Sequence, residues 1–211
     1  MALARGRVLL LYPLFMVICV TAFNSVDVAS DYKGWFEGSR EVLVSAFLDE
    51  FYFGWKGYTI EHHEENYYYT HESVQSTQLA GTGKMALAFS VMALVANVTG
   101  GVLLIFGIAW PKDVAHRARF RKISLVFIAF ACVFSFIASV GFISLFASEF
   151  DDELVPGIDH WWPSQAWFLV FFAFVFDFFG FSGTMGCGYW DRDFDDPQTV
   201  RRNLWAPVSP T

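Results

Sequence analysis

Disulfide chemistry is almost absent from this sequence. Its three cysteines, Cys19, Cys132 and Cys187, all lie in or at the ends of apolar runs. The long polar stretch at 27–83 therefore has no internal disulfide to staple it and must lean on something else. Charge is also scarce, at 17% of residues, while 55% are hydrophobic and 25 of the 211 residues are Phe. A soluble domain of this length needs much more polar surface. Basic residues are few and clustered, which argues against nucleic acid as a partner. There is no Gly-rich phosphate loop, no cysteine pair and no Ser-His-Asp spacing. No enzyme and no cofactor are expected.

What is present is four long apolar runs, at 8–26, 84–110, 123–147 and 165–189. Each is long enough to cross roughly 30 Å of hydrocarbon as a helix. Arg5 and Arg7 ahead of the first run resemble a signal peptide, but the run reads as a retained first helix, kinked near Pro13. The predicted fold class is an all-α membrane protein: a four-transmembrane-helix bundle with a small β-hairpin or sheet domain between helices 1 and 2.

Orientation follows from the charges. The segment 111–122, between the second and third runs, is short and basic, and such loops stay on the cytoplasmic side or its equivalent. The N-terminus, this connection and the tail at 190–211 hold ten Lys or Arg against five Asp, whereas loops 24–83 and 148–164 hold Lys33, Arg40 and Lys56 against fifteen carboxylates. Both termini are expected inside (cytoplasm, matrix or stroma). A plasma membrane is favoured, with an organelle membrane as the alternative. The basic side chains also suit anionic headgroups.

Within the outside domain, Tyr32–Gly38 mixes glycine with aromatics suited to the interfacial level. Glu41–Phe51 has Val42, Leu43, Ala46, Phe47 and Phe51 near helical spacing and predicts a short amphipathic helix. Phe51–Ile60 reads as one strand, Glu61–Asn66 as a polar turn, and Tyr67–Thr70 as a second strand. The acidic loop at 148–164 returns through His160-Trp161-Trp162-Pro163, with Pro163-Ser164 opening the last helix.

Three groups are candidate sites. The aromatics Trp35, Phe51, Phe53, Trp55, Tyr58, Tyr67, Tyr68 and Tyr69 are dense enough for a core, a partner surface or both. Asp177 lies midway through a run of eight Phe between Trp167 and Phe181. A carboxylate at membrane depth is a functional suspect by default. Asn97, Thr99 and the serines of the third helix are its possible hydrogen-bond partners, while Gly100-Gly101 and Gly107 suit close helix packing. His62, His63, Glu64, Glu65 and His71 form a metal-like group, but adjacent histidines on a strand point to opposite faces. A solvated polar loop is the expected reading there.

This plan resembles the claudin-like four-transmembrane superfamily. Phe53-Gly54-Trp55 stands roughly where that family carries Gly-Leu-Trp; the intervening Leu is absent, as are the two cysteines of the family's loop. The resemblance implies a small sheet over the helices, cytoplasmic termini, and an adhesion, barrier or channel-accessory role. The expected function is thus a non-enzymatic adhesion or scaffold protein, or an accessory subunit of a membrane complex. It would contact membrane lipids and other membrane proteins, or copies of itself. The alternatives are a small channel or transporter component using Asp177, and a lipid-handling protein.

Overall fold

The computed structural model describes residues 2–29, 34–42, 47–62, 65–70, 77–109, 114–144 and 160–190. Four long helices run through it: α1 Ala2–Val28, α2 Thr77–Ala109, α3 Val114–Phe136 and α4 Gln165–Trp190. After α3, a five-residue π-helical turn, Ile137–Gly141, continues into helix at 142–144. Each helix, α3 together with the turn and helix that continue it, contains a span long and apolar enough to cross a membrane: Leu10–Val28, Ala80–Ala109, Arg119–Ser144 and Gln165–Gly186. They show large apolar side chains to the outside, among them Phe15 (59% exposed) and Val95 (60%). In water that surface would aggregate; in lipid it is matched to its solvent. The protein is a multi-pass membrane bundle.

Small residues let the helices approach. A Cβ on Gly100 would come 3.1 Å from Ile128, and one on Gly101 would come 3.0 Å from Val17. At Gly83 the backbone of Trp55 approaches so closely that any Cβ would collide with its carbonyl oxygen. The basic stretch read from sequence as a connection is largely helical, since α3 begins at Val114.

The strands form a five-stranded antiparallel sheet: β1 Phe36–Val42, β2 Phe47–Phe53, β3 Gly57–His62, β4 Glu65–Thr70 and β5 His160–Pro163, in spatial order β4-β3-β2-β1-β5. Two sequence expectations are corrected here. The described residues of Glu41–Phe51 hold no helix; they form the end of β1 and most of β2. Their apolar spacing fits helix and strand alike, and pairing of β1 with β2 decides between them. Phe51–Ile60 is two strands rather than one. Gly54-Trp55-Lys56 reverses the chain, with the Gly54 N–H donating to the Gly57 carbonyl at 2.9 Å. The fifth strand comes from just before α4, far along the chain from the other four.

Alternation along the strands divides the sheet into two faces. Phe36, Phe51, Phe53 and Tyr58 face the helices and are buried with Trp35 against Ala86, Ala138, Phe142, Ala166 and Val170. Phe142 is the anchor: its ring lies 4.5 Å from Trp35 and stacks at 5.5 Å on Phe36. A second core cluster, Leu10, Val17, Leu104 and Ile128, fills the half of the bundle nearer the termini.

Candidate functional sites

The intramembrane site is built by three helices. Asp177 on α4 is buried, and its Oδ2 accepts from Asn97 Nδ2 on α2 and Ser135 Oγ on α3, each at 3.3 Å. Thr99 is not part of it, because its hydroxyl is spent on the Val95 carbonyl of its own helix. No ion pair reaches Asp177 among the described residues. A carboxylate at the membrane centre costs about 2.5–3.5 kcal/mol on insertion scales. Interhelical hydrogen bonds in membranes return only ~0.6 kcal/mol each on average. Two long bonds therefore leave the site in deficit, and Asp177 Oδ1 and Asn97 Oδ1 have no partner at all.

The sequence alone did not single out two polar residues on α1, Asn24 and Asp27, both fully buried. The first run ended at 26, so Asp27 fell among the outside-loop carboxylates. The helix in fact continues to Val28 and carries Asp27 into the bundle. Ser90 and Trp35 approach the Asp27 carboxyl closely enough to act on its charge, but neither completes a hydrogen bond. The usable signal was the helical spacing of Asn24 and Asp27, three residues apart on one face.

The aromatic candidates divide. Trp35, Phe51, Phe53 and Tyr58 are core residues and are closed to a partner. Trp55 is half-buried, and its indole N–H donates to the Val28 carbonyl at 3.3 Å, satisfying a free end of α1. Tyr67, Tyr68 and Tyr69 are exposed at 44%, 62% and 38%. They lie on β4, an edge strand, and Tyr69 stacks on Tyr58 at 5.3 Å.

On the outer face, register aligns Trp162, Glu37, Tyr52, Thr59 and Tyr68 in one row. Glu37 is a clamp: it accepts from Trp162 Nε1 at 3.2 Å and from the Ser164 hydroxyl, joining β1 to the start of α4. Tyr52 donates to Glu50 Oε2 at 2.5 Å. This hydrogen bond, reinforced by partial burial and by the charges of Glu50, Glu61 and Glu37, pushes the Tyr52 phenol well above its ordinary value. Tyr67 is raised likewise by its bond to Glu65, at 2.6 Å. Between Glu37, Glu50, Tyr52 and Trp162 lies an open cleft of about 150 Å³.

No group of three or more metal-ligating side chains occurs among the described residues. His63, Glu64 and His71 lie outside them, and His62 pairs with Glu65 across β3 and β4. Cys19 and Cys132 are free thiols. No protein-family model and no curated protein matches the chain. What the structure shows is a general tetraspan-like architecture, a four-helix membrane bundle with a small sheet.

Proposed function

We propose that this protein is a non-enzymatic membrane subunit or scaffold whose recognition surface is the exposed aromatic edge of its sheet. The observation that carries the reading is β4. It places three consecutive exposed tyrosines outside the membrane-spanning segments, on an edge strand. Tyrosine is favoured at interfaces because it offers large, rigid contact area and a polar tip. Glu37, Glu50 and Glu61 on the adjoining face make the surface electronegative, which suits a basic partner surface. Adhesion between membranes and accessory membership of a complex both use such a surface.

The test is purification in mild detergent followed by identification of what co-migrates. Tyr67→Ser with Tyr68→Ser is expected to release the partner while leaving the melting temperature within a few degrees, as for exposed substitutions. Retention of the partner by that variant, or a wild-type protein with no protein neighbour, refutes the reading.

The second reading, a channel or transporter component, is favoured by the three-helix convergence on Asp177. It requires Asp177→Asn to abolish an ion or proton flux without disturbing assembly.

A further inference from the structure

The unpartnered polar atoms of the bundle are not scattered. Among the described residues, they are both ends of the Asn24 amide, both Asp27 oxygens, Ser90 Oγ, Asn97 Oδ1 and Asp177 Oδ1, with Trp35 Nε1 just above them. One further such atom, Thr59 Oγ1, lies on the outer face of the sheet. Asp27 stands at the sheet end of α1 beside Ser90 and Trp35, and Asn24 follows one turn inward. Phe23, next to Asn24, packs at 5.7 Å on Phe176, next to Asp177. Asn24 and Asp177 therefore sit within about a turn of each other along the bundle axis. The series runs from the sheet to the middle of the membrane.

The half nearer the termini is built differently. Its interior is Leu10, Val17, Leu104 and Ile128, flanked by Leu14, Ile108 and Phe181. Its buried hydroxyls are closed onto backbone: Ser124 donates to the Gly100 carbonyl at 2.8 Å, and Thr184 to the Gly180 carbonyl at 2.7 Å. Buried polar groups left unmet in hydrocarbon carry a large penalty, so the sheet-side groups need a ligand that the inner ones do not.

The chemistry of the set names that ligand. Trp35 Nε1–H and the Asn24 amide nitrogen are donors. The Asp27 oxygens, Asn24 Oδ1, Asn97 Oδ1 and Asp177 Oδ1 accept, and Ser90 can do either. A metal cation would satisfy the oxygens and be repelled by the N–H groups; an anion would do the reverse. Water meets both kinds.

We propose that the sheet-facing half of the bundle holds a chain of buried waters, running from Trp35 and Asp27 past Ser90 and Asn24 to Asp177, and closed toward the termini by the plug of Leu10, Val17, Leu104 and Ile128. Asp177 is then hydrated from the sheet side only. The path is a dead end, so this chain alone is not a pore.

Hydroxyl-radical footprinting of the full chain in lipid nanodiscs tests it, because radicals generated from bound water label the side chains next to that water. Trp35 has no accessible surface. In wild type it is expected to label severalfold above Leu104 and Ile128 after correction for intrinsic reactivity. Asp27→Leu is expected to lower the Trp35 label severalfold, while Asp27→Asn retains it. An unlabelled Trp35 overturns the water path, and equal labelling of the plug overturns its closure. Should Asp27→Leu fail to fold, the wild-type comparison decides alone.

Discussion

Gly83 shows how little room the junction between sheet and bundle leaves. A methyl group there meets the Trp55 carbonyl, which is backbone and cannot rotate aside. Gly83→Ala is expected to destabilise by about 1–3 kcal/mol, as overpacking does. Gly81→Ala, with nothing within 4 Å, should be neutral or stabilise by up to ~1 kcal/mol. Thermal melts of the two variants in one detergent check the contrast. Tyr52 gives a pH signature. Its phenol titrates above its ordinary value, principally through the bond to Glu50. The neutral form is thus favoured by folding. That contribution is fully present below about pH 10, the unfolded value, and is lost as pH rises through the higher folded value. An ultraviolet titration of tyrosinate should show a late component that Tyr52→Phe removes. The position of Asp177 was legible in the sequence because a carboxylate among eight Phe is conspicuous. Its company was only partly so: Asn97 and a serine of α3 were named, but nothing local indicated which serine, and Asn24 and Asp27 were not seen.

At the scale of elements, the π-helical turn at Ile137–Gly141 and the anchor ring Phe142 tie the sheet to the bundle. The turn's Ser139 carbonyl accepts from the Trp167 indole on α4 at 3.0 Å, and also from the Phe142 N–H. Trp167→Phe keeps the ring but removes that donor, and a loss of roughly 0.5–1.5 kcal/mol is expected from a melt or denaturant series. Phe142→Ala should cost more, about 3–5 kcal/mol, because it opens the space between Trp35, Phe36 and the helices. Limited proteolysis within the sheet should rise in that variant while helix content holds. The helices were readable from hydropathy because each must hide its backbone from lipid internally. The strands were less so. Period-2 and period-3.6 patterns coincide over segments as short as Glu41–Phe51, and no local signal assigns His160–Pro163 to a sheet formed 120 residues earlier in the chain.

For the whole molecule, the sheet caps one end of the bundle, and the N-terminal end of α1 and the C-terminal end of α4 lie at the other. Tyr12 near the start of α1 packs beside Gly183 near the end of α4. Tags at the two termini are therefore expected to be accessible from one side of the membrane, and a tag within the sheet from the other; protection assays on sealed vesicles would check this. The charge asymmetry of the loops predicts which side is which. By itself, the sequence determined that the chain crosses a membrane four times and carries a polar domain between the first two crossings. Those properties follow from transfer free energies summed along contiguous stretches, and they need no knowledge of neighbours. Only the tertiary structure decided which aromatics are core and which are surface, that segments before α2 and before α4 share one sheet, and that Asn24 and Asp27 are buried in the bundle as Asp177 is. Burial and hydrogen bonding join residues many turns and many loops apart, and no local pattern records those pairings.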